Sequence, residues 1–125
     1  RSLPAIVKAF RIQEKVRGIG FDWDNKSQIW EKVLEEIEEL KAEVENKNKE
    51  RIESEFGDVL FALINYARFI DVNPEDALER CNKRFIKRFQ IMEKKLKEEE
   101  KDLLDMNLDQ MNKYWQWAKN KYLNT

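Results

Sequence analysis

Four acidic side chains are spaced so that one divalent cation could gather them. Glu36 and Glu39 stand three residues apart, and Glu55 and Asp58 repeat that interval nineteen residues later. On a helix, residues three apart share a face one turn apart. If the two pairs lie on neighbouring antiparallel helices, four carboxylates aim at one point. Such crowding is repulsive unless a hard cation sits among the oxygens, and oxygen-only ligation selects Mg²⁺, Mn²⁺ or Ca²⁺ over softer metals. Mg²⁺ keeps several waters and completes its shell with substrate phosphates, so a carboxylate centre without His suits phosphate chemistry. Glu35, beside Glu36 and one turn from Glu39, is placed to orient a water or support a second ion. The run Glu35-Glu36-Ile37-Glu38-Glu39 is also what a solvated helix face looks like. Glu55 and Asp58 favour the site, because they interrupt an apolar helix where a charge is costly unless neutralised.

A basic counterpart lies further along. From Glu31 to Asp58 there are eleven acidic and five basic residues, whereas from Arg80 to Lys97 there are eight basic and one acidic. Arg84 and Arg88, one turn apart, could clamp a polyphosphate. The alternative is a basic face that pairs with acidic helices, which is the simpler reading for Lys94, Lys95 and Lys97. Near the end, Trp115 and Trp117 are two positions apart and cannot both face one core. Trp115 with Lys119 at i+4 could stack a base and reach a sugar or phosphate. Trp23 serves equally well as a hydrophobic anchor or a site residue.

The elements that must position these residues are helices. The chain has 125 residues, 39% of them charged and 42% hydrophobic, with 3 Gly and 2 Pro. That length supports one domain, expected to span 1–125, and so few breakers argue against an all-β fold. Pro4 to Arg17 reads as a first helix closed by Gly18 and Gly20, followed by a loop from Phe21 to Lys26. Ser27 is a candidate cap for a second helix reaching Glu45, with the stripe Ile29, Val33, Ile37, Leu40 and Val44. After the turn Asn46-Lys47-Asn48, a third helix runs from Lys49 to Ile70. Its expected core stripe is Ile52, Phe56, Val59, Leu60, Leu63, Ala67 and Ile70. Phe61, Ala62, Ile64, Tyr66 and Phe69 make it apolar nearly all round, which predicts a dimer or tetramer packed through this helix. Gly57 costs about 1 kcal/mol against Ala in a helix interior, and close backbone approach would compensate. Asn73 caps a fourth helix from Pro74 to Lys97, and a short fifth runs from Asp109 to Tyr122. Short links between long helices predict an antiparallel all-α bundle of about five helices.

Composition also excludes. With no His and a single Cys81, His-based triads, His-ligated metals and disulfide or thiolate-metal frameworks are out. Net charge is −1, against a globally basic nucleic-acid binder. No apolar run approaches a membrane span and no signal segment opens the chain, so a cytoplasmic setting is expected. The chain starts at Arg1 rather than Met, which leaves open an upstream domain.

Lys32-Val33-Leu34-Glu35-Glu36-Ile37-Glu38-Glu39-Leu40, then Glu55-Phe56-Gly57-Asp58-Val59-Leu60-Phe61-Ala62 and Asn65, resemble the MazG family of nucleoside triphosphate pyrophosphohydrolases. The likeness extends through Gly20-Phe21-Asp22-Trp23, Asn82-Lys83-Arg84-Phe85-Ile86-Lys87-Arg88-Phe89 and Trp115-Gln116-Trp117-Ala118-Lys119. The resemblance implies an all-α dimer or tetramer of the all-α NTP pyrophosphatase type. It implies Mg²⁺, with Mn²⁺ as a substitute, and cleavage of NTPs to NMP and pyrophosphate. By the same carry-over, Glu36, Glu39, Glu55 and Asp58 hold the metal and Glu35 acts on the attacking water. Lys32, Arg84 and Arg88 address phosphates, and Trp115 and Lys119 lie near the nucleoside. The closest likeness is to the C-terminal catalytic domain of two-domain relatives. Arg84 stands where many relatives have Lys, and Ser54 where another acid is common. The rival readings are a non-catalytic helical interaction module and a nucleic-acid binder using the fourth helix, the latter opposed by the acidic first half.

Overall fold

The computed structural model describes residues 4–22 and 25–123, so Trp23 and Asp24 lie outside the described residues. Among the described residues there are five α-helices and no strand: α1 (Ala5–Arg17), α2 (Lys26–Asn46), α3 (Lys49–Phe69), α4 (Pro74–Glu98) and α5 (Leu108–Leu123). A 3-10 turn, Leu103–Asp105, precedes α5. The chain divides into two compact units, Arg1–Ala77 and Leu78–Thr125.

In the first unit α2 and α3 form a tight antiparallel hairpin. Lys47 takes a left-handed conformation at φ 58° to end α2, and the Asn48 side chain accepts from the Arg51 amide to start α3. This link leaves no slack, so it sets which turn of α2 faces which turn of α3. Asn25, not Ser27, caps α2: its Oδ1 accepts from the Gln28 amide at 3.1 Å. Ser27 serves that cap instead, its hydroxyl donating to Asn25 Oδ1 at 2.7 Å. The hairpin core is built on Ile29 and Val33 from α2, which are 1% and 0% exposed. They are joined in burial by Val59, Ala62, Ile64 and Ala67 of α3. Trp30 and Tyr66 add a tilted ring contact at 5.0 Å. α1 packs against α3, where Gln13 Nε2 donates to the Phe61 carbonyl at 2.9 Å.

The expected stripe on α3 is displaced by roughly one step around the helix. Val59 and Ala67 are buried, but Phe56, Leu60 and Leu63 are exposed at 54%, 43% and 40%. Positions 55, 59, 62 and 66 are buried or half-buried at helical spacing and include a carboxylate, and of these Glu55 meets Glu36 and Tyr66 meets Trp30 on α2. Among the described residues, nothing outside its own stretch of helix lies within 4 Å of a Cβ built on Gly57, so close approach to them does not explain that glycine.

In the second unit, Met92 and Leu96 of α4 pack with Ala118 of α5, flanked by Phe89, Ile91, Leu103, Met106, Tyr114 and Trp115. Asn73 accepts from the Glu75 and Asp76 amides at the start of α4, as its sequence position predicts.

Ile29→Ala should cost about 2–5 kcal/mol in urea denaturation followed by circular dichroism, because it opens a hole in the hairpin core. Leu60→Ala, at a half-exposed position, should cost clearly less in the same measurement.

Candidate metal centre

The hairpin brings the two acidic pairs together. Glu36 faces inward from α2 and is only 6% exposed. Glu36, Glu55 and Asp58 each offer a carboxylate oxygen within 4.8 Å of the others, and Glu35, Glu36 and Glu39 do the same. Glu36 belongs to both groups, so all five predicted acids surround one region at the α2–α3 interface. Glu55 is half-buried and Glu35, Glu39 and Asp58 are exposed, which gives the cluster a closed floor and an open mouth.

The electrostatics are those of an under-neutralised site. Burial, then the charges of Glu39, Glu36 and Asp58, push the Glu55 carboxyl above its ordinary value. Oε2 of Glu36 and Oε2 of Glu55 are both buried with no hydrogen-bond partner. Buried carboxylate oxygens without donors are costly, and a hard cation is the group their donor set fits. Lys32 lies against the cluster, its ammonium 3.0 Å from Glu35 and 3.2 Å from Glu36. Hydrogen bonds to Glu35 and then Glu36 raise its pKa. In this arrangement the residue expected at phosphate acts as counter-ion to the acids.

Glu43 escaped the sequence reading. It stands seven residues, about two helical turns, beyond Glu36; its Oε1 is buried without a partner, and its Oε2 faces Arg51 at 3.8 Å. The spacing 36, 39, 43 carries the signal, but in a Glu-rich helix it does not stand out.

The remaining predicted residues belong to the second unit. Arg84 is exposed. Arg88 is half-buried, with its guanidinium 5.4 Å from the Tyr122 ring centre and its Nε buried without a partner. Of the two tryptophans, Trp115 turns inward and packs on Phe85 at 5.1 Å, while Trp117 lies outward beneath the Lys95 ammonium at 4.8 Å. Lys119, one turn beyond Trp115, is half-buried.

A family profile for the MazG nucleotide pyrophosphohydrolase domain matches residues 25–92, which cover α2, α3 and most of α4. The chain belongs to the MazG family. A Thermotoga maritima protein named nucleoside triphosphate pyrophosphohydrolase/pyrophosphatase MazG is 38% identical over 94% of this chain. An Escherichia coli K12 nucleoside triphosphate pyrophosphohydrolase is 35% identical over 95% of it. The chain spans about half the length of these relatives, 45% and 46% respectively. An uncharacterised Bacillus subtilis protein, YabN, is 47% identical over 60% of the chain. The MazG profile thus takes in the whole acidic hairpin together with Arg84 and Arg88 of α4, and stops before α5.

Because the folded state holds the Glu55 proton more tightly than the unfolded chain does, this carboxyl stabilises the cation-free protein at low pH and loses that effect as pH rises through its raised pKa. Glu55→Gln should therefore gain in thermal midpoint relative to wild type between about pH 4 and 7, measured without divalent cations. A midpoint difference that stays constant across that range would contradict the raised value.

Proposed function

We propose that this chain is a single MazG-like domain that hydrolyses nucleoside triphosphates to the monophosphate and pyrophosphate with Mg²⁺. The observation that carries this reading is the meeting of Glu36, Glu55 and Asp58 oxygens within 4.8 Å, two of those residues keeping a buried, unpartnered oxygen. Family membership and the printed names of the relatives support the same activity. Glu36, Glu39, Glu55 and Asp58 would hold the ion. When bound, Mg²⁺ supplies Lewis acidity toward phosphate oxygens and makes a water more acidic.

The chain's own residues do the rest. Glu35 is more exposed than Glu36 and borders the same cluster, so it can orient the attacking water and accept its proton. Attack at the α-phosphorus, in line with the bond to the leaving pyrophosphate, puts growing charge on that leaving group. Arg84 and Arg88 offset it, and Lys32 exchanges Glu35 and Glu36 for a phosphate oxygen. Trp115 and Lys119 attend the nucleoside. A second copy of the chain packs on α3, where Phe56, Leu60 and Leu63 leave an apolar seam exposed. Cytoplasmic residence is part of this reading, and no helix among the described residues is long and apolar enough to cross a membrane.

Pyrophosphate release from each NTP and dNTP, with and without Mg²⁺, tests the assignment. Glu39→Ala and Asp58→Ala should each lower the Mg²⁺-dependent rate by about 100-fold or more while helical content stays intact. Wild-type protein that neither binds Mg²⁺ nor turns over any nucleotide would instead be the non-catalytic interaction module.

A further inference from the structure

The acids of the metal centre fall into two overlapping sets. Glu36, Glu55 and Asp58 bridge α2 and α3, each with a carboxylate oxygen within 4.8 Å of the others. Glu35, Glu36 and Glu39 gather as closely on α2 alone. The first set makes an inner cation place, with Glu36 buried and Glu55 half-buried. The second makes an outer place, where Glu35 and Glu39 are exposed and Glu36 is shared.

Lys32 stands at the outer place. Its ammonium is 3.0 Å from Oε1 of Glu35 and 3.2 Å from Oε1 of Glu36. At i, i+3 and i, i+4 on one helix these contacts form without help from α3. The Lys32–Glu35 contact alone would be an ordinary exposed helix pair, worth little. The Glu36 contact differs, because that side chain is 8% exposed and has little access to water as a substitute partner. The Lys32 side chain is itself 40% exposed, so replacing its charged end leaves the core intact.

The remaining oxygens mark what the ammonium leaves undone. Oε2 of Glu36 and Oε2 of Glu55 are buried with no hydrogen-bond partner, and both residues belong to the inner set. Compensating charge is therefore present on the outer side of Glu36 and missing on the inner side. A divalent ion fits the inner set, whose donors are all hard carboxylate oxygens. A second ion at Glu35 and Glu36 would meet an ammonium already within hydrogen-bond distance of both carboxylates. A protonated lysine has no lone pair to offer a metal, and like charges so close repel.

We propose that Lys32 fills the second cation place of this centre, so that the nucleotide-free chain takes one divalent ion, at Glu36, Glu55 and Asp58, and not two. The inference rests on the metal reading above and adds to it the number of ions and the residue that sets that number.

Mn²⁺ titrated into nucleotide-free protein, with the unbound ion counted by electron paramagnetic resonance, tests this without any turnover. Wild type should bind one Mn²⁺ per chain. Lys32→Gln removes the charge and should bind two, the first about ten-fold more tightly than wild type does. Lys32→Arg keeps the charge and should stay at one. Glu35→Gln added to Lys32→Gln should return the count to one, which locates the second ion at the outer place rather than elsewhere on the acidic surface. Two ions on wild type, one on Lys32→Gln, or two on the double variant overturns the proposal and leaves the metal centre standing. No ion on wild type overturns the metal centre itself.

Discussion

Mutual repulsion among carboxylates at the α2–α3 interface is the constraint around which the first unit is built. Glu36 and Glu55 are pressed inward by the same packing that buries Val33 and Val59, so the fold places charge where water cannot screen it well. Lys32 offsets part of that charge from the open side. What remains, two buried oxygens without donors and a Glu55 carboxyl held above its ordinary value, is free energy available to a divalent cation.

Holding the acids in register falls to simple devices. The left-handed Lys47 and the Asn48 cap make the link between α2 and α3 as short as a helical hairpin allows. Small residues at Ala62 and Ala67 keep α3 slim where it packs, while the larger Phe56, Leu60 and Leu63 point away. The Arg68–Asp22 ion pair fastens Asp22, just after α1, against α3, the helix that also carries Glu55 and Asp58, and Arg17 of α1 meets the same carboxylate. Around its Met92–Leu96–Ala118 core the second unit adds a tilted contact of Phe85 with Trp115 and cations over ring faces, Arg88 on Tyr122 and Lys95 on Trp117.

Much of this was legible before any coordinates. Helix limits follow from local chemistry, since Pro4, the Asn46–Asn48 turn and Asn73-Pro74 act through backbone geometry within a few residues. The convergence of Glu36, Glu55 and Asp58 was legible because an i, i+3 interval repeated across a tight turn leaves little freedom. The core stripe of α3 was read about one step off. An apolar helix carries no polar face to mark its outside, so periodicity cannot say which apolar side meets α2. Ser27 and Asn25 are both good caps, and only the backbone path chose between them.

The sequence by itself determined the all-helical architecture, the hairpin and the set of acids that must meet, because these depend on short-range spacing and on the cost of charge in an apolar helix. Tertiary structure alone decided that Glu36 is the innermost acid and that Trp115 turns in while Trp117 turns out. It also made a cavity from Gln13, Asp22, Asn65 and Arg68, residues separated by up to fifty-five positions. No local pattern announces such a cavity, since its polar groups find their partners only when α1 is laid against α3.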